Sequence, residues 1–360
     1  MKRLRVRVTA IGFAAAVGLG LAERAQASPA VDGTRNLSLG NVARASSYGT
    51  NAALLAPSNM AFQQTFAVEP MYQMRIRSRT HGLGFVVMDS LNNPRIQLSL
   101  GYLFMRGAPQ VSFQDTMGDT RSLTLSHFGH EAFGAIGVTI VRQWLAVALK
   151  PKYQYTSLRY RDDIGLARNA HDRLNAFGLD ASATANFAGW AAVTVVGTNL
   201  TGNHSPAFTD ERSVRLRDVG MAEDAVVDHG TLDQLSDYPL GLGHGLAVFP
   251  LRHPNFSLNF DGSYDFSTYE FQNHVRMTYG GSAEFVVGPV PLRFGTVWDS
   301  RGRGRADDRV FIAGGIAYVK PPAVGGVGVD VGFGFRQQVH GPMKETVIGF
   351  NLGIRIHPDL

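Results

Sequence analysis

The side chains that could carry out catalysis are few and scattered along the chain. Ser126 and His127 are adjacent and His130 follows shortly after, a combination of residue types that acyl-transfer sites use. In an extended segment, however, adjacent side chains point to opposite faces, so Ser126 and His127 are poorly placed to exchange a proton. We therefore expect no catalytic residue in this sequence and no enzymatic activity.

Residues that could bind a metal ion or a cofactor are equally dispersed. Several histidines lie in or near predicted loops: His81, His127, His130 and His171. Two pairs of adjacent carboxylates also lie in predicted loops: Asp162-Asp163 and Asp307-Asp308. Imidazoles can bind zinc and carboxylates can bind calcium, but ordinary solvated loops contain the same residues. The glycine-rich stretch 325–328 lacks the Lys-Ser/Thr of a phosphate loop. We expect neither a metal nor a cofactor.

The composition excludes several classes of protein. The chain has 360 residues, of which 18% are charged and 44% hydrophobic, with 41 glycines and no cysteine. So few charges argue against a disordered chain, and the sequence lacks the repeated apolar runs of about 20 residues that a helical membrane bundle needs. The lack of cysteine excludes a disulfide scaffold and a thiol nucleophile. The high glycine content suits closely packed strands.

The first 27 residues have the three-part pattern of a secretory signal peptide. A basic start with Lys2 and Arg3 leads into the small apolar stretch 8–22, and Ala25-Gln26-Ala27 resembles a cleavage site. Removing residues 1–27 removes five basic residues and one acidic residue, so most of the net charge of +5 belongs to this segment. The basic balance therefore gives no indication of a nucleic-acid partner.

Alternation of apolar and polar residues is the main signal after residue 65. In 256–266, Phe256, Leu258 and Phe260 alternate with polar residues, and 96–104, 275–285, 327–336 and 348–356 behave alike. Successive side chains of a strand face opposite sides, so each strand has one apolar and one polar face. We predict these strands: 65–76, 82–91, 95–106, 131–141, 143–160, 173–187, 190–198, 241–249, 255–268, 273–287, 290–299, 309–319, 325–338 and 344–356.

This pattern predicts an all-β protein, a transmembrane antiparallel β-barrel of about 14 strands. A soluble β-sandwich also alternates, but the predicted strands are longer than the usual five or six residues and carry charges in their middles. Short turns follow the even strands, whereas the longest gaps, 107–130, 161–172 and 199–240, follow odd strands. That asymmetry is typical of bacterial outer-membrane barrels, whose long loops face the outside.

Charged residues on the polar faces should line the lumen of such a barrel. They are Glu69, Arg75, Lys150, Lys152, Asp180, Asp261, Asp265, Arg276, Glu284, Asp330, Arg336 and Arg355. Acidic and basic residues nearly balance, whereas an open selective channel usually has a ring of one sign. A balanced interior favours a lumen that is crossed by ion pairs and filled by a plug.

Residues 28–64 contain SLGNVARASSYGTNAALLAPSNMAF, which resembles the N-terminal segment of FadL-type and PorV-type outer-membrane proteins. The turn that follows the small-residue stretch corresponds to Pro57, Ser58 and Asn59, with Ala56 where the family has Asn. The stretches 192–202 and 308–319 are similar to a middle and a late strand of these barrels. The C-terminus departs from the usual pattern, since it ends in Leu360 rather than an aromatic residue.

The resemblance implies a domain organisation and a function. Residues 28–64 would form a plug segment and 65–360 an outer-membrane β-barrel, with 199–240 as a long extracellular loop. The protein would lie in the outer membrane of a Gram-negative bacterium after signal-peptide cleavage, in contact with membrane lipid. It would allow passive uptake of small hydrophobic, fatty-acid-like molecules. The alternative is a PorV-like structural component that docks a protein of a secretion or cell-surface machine.

Overall fold

The fold was obtained as a computed structural model of the chain. It describes residues 31–91, 93–108, 110–114, 120–161, 171–201, 240–253, 255–266, 275–300, 308–320, 326–341 and 344–356. The predicted signal peptide 1–27, residues 28–30 of the predicted plug segment and residues 202–239 of the predicted long loop lie outside this described part.

The described residues form one antiparallel sheet and a short helical segment before it. The strands are β1 Phe66–Arg75, β2 Thr80–Asp89, β3 Ile96–Gly107, β4 Gln110–Gln114, β5 Thr120–Val141, β6 Leu145–Arg161, β7 His171–Phe187, β8 Ala191–Thr198, β9 Gly241–Val248, β10 Phe256–Asp265, β11 Arg276–Val287, β12 Val290–Ser300, β13 Arg309–Lys320, β14 Val327–His340 and β15 Thr346–Ile356. Two α-helices, Thr34–Ser38 and Thr50–Leu55, and a 3₁₀ helix, Pro57–Phe62, precede them.

The sheet closes into a barrel. From β5 to β15 each strand pairs with the next one in the sequence, β1 pairs with β2 and β15, and β3 pairs with β2 and β5. Strand β4 lies outside the ring and pairs only with the beginning of β5. Fourteen strands therefore form a closed ring within the described residues, which confirms the predicted transmembrane β-barrel. Closure leaves no open sheet edge, as a lipid environment requires.

The two faces of each strand differ as the alternation predicts. On β2, Leu83 and Phe85 face outward and are about half exposed, whereas Val86 and Met88 face inward and are buried. Leu100 on β3 is 69% exposed. An outward face made of large apolar residues is favourable only against lipid, so the barrel wall is a membrane-spanning surface.

The two ends of the barrel are unlike. One end, called the short-turn end here, carries tight connections such as 142–144, 188–190 and 288–289. Residues with positive φ, including Ala188, Gly189 and Gly288, make these reversals possible. The other end, called the long-loop end, carries the β3–β5 and β8–β9 connections. Among the described residues, no helix has the length and hydropathy needed to span a bilayer.

One part of the predicted strand pattern was wrong. The gap 107–130 was expected to be a loop, but it contains β4 and the first half of β5. Strand β5 has 22 residues, which at about 3.3 Å per residue is far longer than a bilayer is thick. Its first half lies beyond the lipid, where the outward face need not be apolar, so the alternation that identifies the other strands is lost.

Candidate functional site

The N-terminal segment, residues 31–64, packs against the inner face of the barrel. Leu37, Leu39 and Met60 are fully buried, although they precede the first strand. Helix 34–38 contacts β12, β13, β14 and β15, whereas the 3₁₀ helix contacts β3, β5, β6 and β7. The segment thus touches opposite parts of the ring. We call the surface between residues 31–64 and the inward-facing side chains the lumen interface.

Glycines let the backbone of helix 34–38 approach the wall. Gly295, Gly315 and Gly334 occupy inward-facing positions on three neighbouring strands, β12, β13 and β14. A Cβ atom at Gly295 would collide with the backbone of Leu39, and one at Gly315 or Gly334 with the side chain of Ser38. The absence of side chains here makes room for the helix, a use of glycine typical of close backbone approach.

A buried ion-pair network attaches this helix to β11 and β12. The Arg35 guanidinium donates two hydrogen bonds to the Glu284 carboxylate, at 2.9 Å from Nη2 and 3.0 Å from Nε. Arg293 donates from Nε to the same carboxylate at 2.6 Å. All three side chains are almost inaccessible to solvent. Two cations therefore share one carboxylate, and one of the cations belongs to the segment.

Further polar contacts hold the first half of the segment. The backbone N–H of Arg44 donates to Asp261 Oδ2 at 2.9 Å, and the Arg44 guanidinium lies 3.4 Å from the same oxygen. Asp32 lies 3.5 Å from Arg336 on β14. The Ser282 hydroxyl donates to the carbonyl oxygen of Val42. Residues 32–44 are thus anchored to β10, β11 and β14 by charges and hydrogen bonds.

Tyr48 and Thr50 make the contacts nearest to β1 and β15. The Tyr48 ring lies between two guanidinium groups, Arg35 at 4.3 Å and Arg355 at 5.4 Å from its centroid. Arg355 also pairs with Asp330 on the neighbouring strand. The Thr50 hydroxyl donates to the Glu69 carboxylate. Cation–π contacts and hydrogen bonds to a carboxylate therefore continue the polar attachment up to residue 50.

The second half of the segment meets a different wall. A buried apolar cluster joins it to β1, β2, β3 and β5, and we call this cluster the apolar seam. Its members are Val31, Ala52, Ala53, Met60, Met71, Val86, Met88, Leu103, Phe133 and Ala135. Methionine is flexible and polarisable, which suits a surface that has to adapt to different apolar shapes. The lumen interface therefore has buried ion pairs on β10, β11 and β12, whereas its largest apolar contact lies on β1–β3 and β5, next to the polar contacts of Glu69 and Gln73 on β1.

The predicted turn Pro57, Ser58 and Asn59 begins the 3₁₀ helix near the short-turn end. The backbone N–H of Ser58 donates to Ser182 Oγ at 2.9 Å, and its hydroxyl lies 2.7 Å from Thr184 Oγ1. The Asn59 amide donates to Ser47 Oγ at 2.8 Å, which ties the turn back to the segment. Neutral hydrogen bonds alone hold this turn to β7, and its role as a plug turn stays a prediction.

All of the charges predicted to line the lumen lie at inward-facing positions of their strands. Those on β10–β15 and β1 are Asp261, Asp265, Arg276, Glu284, Asp330, Arg336, Arg355, Glu69 and Arg75. The remaining three, Lys150, Lys152 and Asp180, lie on β6 and β7, where Lys152 Nζ is 2.8 Å from Asp180. Glu284, Asp261 and Arg336 contact charged residues of the segment, whereas Arg276 pairs with Asp299 of the neighbouring strand at 2.8 Å.

Four buried inward-facing charges were missed by the sequence analysis. Arg293 lies between Leu292 and Phe294, and Glu131 lies 3.5 Å from Lys150 and accepts a hydrogen bond from Gln154. The other two are Asp299 on β12 and Arg309, directly opposite it on β13. Strict alternation along β12 would have placed Arg293 and Asp299 on the inner face. No local pattern identifies Arg35 as the partner of Glu284, because the two residues are 249 positions apart.

The residues considered for catalysis and metal binding do not converge in the described part of the barrel. Ser126 is exposed on the outer face of β5. His130 also faces outward, 3.3 Å from the Tyr102 hydroxyl, and β3 separates it from His81 on β2. No group of three His, Asp or Glu residues suited to a metal ion occurs among the described residues. The described part of the structure does not include the side chains of His127 and His171 or the residues Asp162, Asp163 and Asp307.

No protein-family model matches the chain, and no curated protein sequence has significant similarity to it. Solved structures are similar in fold. The CymD monoaromatic hydrocarbon channel has a TM-score of 0.61 and 11% identity, with 92% of this chain and 99% of CymD covered. A FadL homologue of Pseudomonas aeruginosa has a TM-score of 0.55 and 10% identity, with 94% of this chain and 99% of the homologue covered. The Ralstonia pickettii toluene transporter TbuX has a TM-score of 0.56 and 9% identity, with 90% of this chain and 98% of TbuX covered. The predicted FadL-type architecture is thereby confirmed for the fold.

Proposed function

We propose that the protein is an outer-membrane channel that admits small hydrophobic molecules by passive diffusion. The observation that carries this proposal is the apolar seam, which lies across the lumen from the buried ion pairs of β10–β12. A pore for hydrophilic solutes gains nothing from an apolar inner wall, whereas an apolar solute needs such a surface to leave water. The similar folds of channels described as hydrocarbon channels or toluene transporters support the same class of solute.

The seam extends along about half of the height of the wall. Near the long-loop end, Val31 lies so close to Gly82 that an added Cβ would sit 2.9 Å from its methyl group. Near the short-turn end, Met88 is fully buried one residue before β2 ends. Seven residues of a strand tilted by about 40° rise about 15 Å along the bilayer normal, which is about half of the hydrocarbon thickness. An apolar solute could follow the seam through this part of the membrane without entering the ion-paired half of the lumen.

In this proposal residues 28–64 act as the gate and residues 199–240 as the capture site. In the structure the seam is closed, because its members are buried against one another. Movement of residues 50–62 away from β1–β3 and β5 would expose it, while the ion pairs of Arg35 and Arg44 keep the first half of the segment on β10 and β11. The long loops would face the outside, so that solute reaches the seam from the long-loop end.

Uptake of radiolabelled toluene by cells with a lipopolysaccharide-containing outer membrane tests the proposal. Met71→Gln/Met88→Gln changes the seam from apolar to polar at similar volume, and Met277→Gln makes the same exchange on the outer face of β11. We expect the seam variant to take up toluene several-fold more slowly and the control at the unchanged rate. Uptake that is no faster than in cells without the protein would overturn the proposal.

Single-channel recordings test the gate separately. We expect the full-length protein to show no large, steady conductance, because the segment fills the lumen at rest. A permanently open, ion-conducting state would contradict the role of residues 28–64 as a plug while leaving the toluene measurement to decide the function.

A further inference from the structure

The N-terminal segment changes its mode of attachment to the barrel at Gly49. Before this residue, Arg35 and Arg44 form ion pairs with buried carboxylates of the wall. After it, residues 50–62 contribute to the apolar seam and contain no charged residue. We call residues 50–62 the flap. Because no ion pair holds the flap, it can leave the wall while residues 32–48 stay in place.

Gly49 has a backbone conformation that suits a hinge. Its φ of 59° and ψ of −145° lie in a region that only glycine adopts readily. A Cβ atom here would have no neighbour closer than 3.9 Å, the guanidinium carbon of Arg355, so conformation rather than space requires glycine. The N–H of Gly49 donates to Gln63 Oε1 at 3.0 Å. This hydrogen bond brings the two ends of the flap together at one place.

The Gln63 end of the flap is fixed to the wall. The Ser90 hydroxyl, just beyond the end of β2, donates to the carbonyl oxygen of Gln63 at 2.6 Å. The backbone N–H of Thr65 donates to Ser90 Oγ at 3.0 Å, and the N–H of Ser90 donates to the carbonyl oxygen of Thr65 at 3.0 Å. These contacts hold the ends of the flap at the short-turn end of β1 and β2.

One side chain of the flap, Asn59, joins it to residues 32–48. Asn59 Nδ2 donates to Ser47 Oγ at 2.8 Å and to the carbonyl oxygen of Arg44. The backbone N–H of Arg44 donates in turn to the Asp261 carboxylate of β10 at 2.9 Å, so Arg44 connects Asn59 to the wall. Among the described residues, no other side-chain hydrogen bond joins the flap to residues 32–48.

We propose that Asn59 is a latch that keeps the flap closed, and that Gly49 and Gln63 form its hinge. The inference rests on the proposed function, since release of the flap is what would open the apolar seam to a solute. The contacts of Asn59 are neutral, as are those of Ser58 with β7. Breaking a neutral hydrogen bond costs less than separating a buried ion pair, so the flap is released before residues 32–48.

Hydrogen–deuterium exchange of the detergent-solubilised protein tests the latch. The variant is Asn59→Ala, and the matched control is Asn51→Ala, which truncates another buried asparagine of the flap. The side-chain oxygen of Asn51 has no hydrogen-bond partner among the described residues. A second variant, Ser47→Ala, removes one of the two acceptors of Asn59. The heat-induced mobility shift of a folded barrel on a gel checks that each variant is assembled.

We expect the amides of the flap to exchange about tenfold faster in Asn59→Ala, because two hydrogen bonds of the closed state are lost. Ser47→Ala should have a smaller effect in the same direction, and Asn51→Ala should exchange at close to the wild-type rate. Unchanged exchange of the flap in Asn59→Ala would overturn the proposal, and so would equal acceleration in the control. Equal acceleration of residues 33–45 would also overturn it, since the segment would then move as one body.

Toluene uptake distinguishes a latch from a merely structural contact. Asn59→Ala should take up toluene several-fold faster than the wild type, whereas loss of a structural contact would slow uptake or leave it unchanged. Because the chain has no cysteine, Ser47→Cys/Asn59→Cys can be joined selectively by a short thiol-reactive cross-linker that contains a reducible disulfide bond.

We expect the cross-link to stop uptake and a reductant to restore it. Unchanged uptake after cross-linking would show that the flap need not separate from residues 32–48, and the latch would be refuted. Failure of the wild type to take up toluene would refute the proposed function instead, and the exchange measurement would still decide whether Asn59 holds the flap.

Discussion

Replacing Glu284 with glutamine should release the first half of the N-terminal segment while leaving the barrel intact. In the native protein this carboxylate accepts hydrogen bonds from Arg35 of the segment and Arg293 of the wall. Its neutralisation leaves two buried guanidinium groups facing an amide. Removing one partner of a buried ion pair costs about 3–5 kcal/mol, mostly because the remaining charge is uncompensated.

The structure indicates how this cost will be relieved. Arg293 cannot leave, because β12 pairs with β11 and β13 along its length. Arg35 belongs to a helix of five residues that is held by side-chain contacts, so movement of the segment is the cheaper response. If the whole penalty favours the undocked state, its population rises by roughly two to three and a half orders of magnitude.

Hydrogen–deuterium exchange measured by mass spectrometry will report the undocking. We expect the amides of residues 33–45 to exchange at least about a hundredfold faster in Glu284→Gln, with strand amides unchanged. The control is Asp299→Asn, which breaks the Arg276–Asp299 pair between two strands of the wall. The double variant Arg35→Gln/Glu284→Gln should exchange more slowly than Glu284→Gln, because one of the two cations left without a carboxylate is then removed. Native-like exchange of residues 33–45 in Glu284→Gln would refute this account of docking.

Three further changes should separate the contributions of close approach, lipid contact and the long loop. Gly295→Ala should speed the exchange of residues 33–45 without altering any charge, because its methyl group collides with the Leu39 backbone, whereas Gly281→Ala, whose methyl group would find its nearest neighbours 3.9 Å away, should not. Leu100→Arg should lower the free energy of unfolding from lipid vesicles by about 2–4 kcal/mol, because the side chain faces the middle of the bilayer; an unchanged unfolding midpoint in denaturant would show that position 100 does not face lipid. Deletion of residues 202–239 should abolish toluene uptake but leave membrane insertion intact, and a barrel that fails to insert would instead give the loop a structural role.

How far the fold follows from the sequence depends on whether lipid borders the strand. Phe256, Leu258 and Phe260 alternate with inward-facing polar residues because one face of β10 meets hydrocarbon and the other the lumen. The same two environments act along nearly every strand, so strand number and facing could be predicted. The first half of β5 was not predicted as a strand, because it lies beyond the bilayer, where no lipid requires an apolar face.

The contacts of the candidate site could be predicted only in part, for a different physical reason. Alternation shows that Glu284 points inward, but it contains no information on which residue of the segment meets it. That pairing depends on where helix 34–38 lies along the wall, which Gly295, Gly315 and Gly334 determine through the space they leave. Each glycine makes room for a backbone segment that is distant in the sequence. Its role therefore cannot be identified from a window of neighbouring residues.

The two halves of the lumen interface respond differently to a perturbation, and this difference favours a hinged gate over a plug that leaves the barrel. Ion pairs act through charge and are lost only at a cost of several kcal/mol when one partner is removed. The apolar seam is held by burial, which an entering apolar solute can replace at little cost because the methionine side chains remain out of water. Under the proposed function, a solute of this kind would compete with residues 50–62 for β1–β3 and β5 and would also displace the hydrogen bonds of Thr50 and Ser58. It offers nothing to replace the contacts of Arg35 and Arg44 with Glu284 and Asp261. Opening should consequently begin at the seam and leave the ion pairs of Arg35 and Arg44 unbroken. The hydrophobicity of the solute itself, rather than a separate signal, would then select which molecules pass.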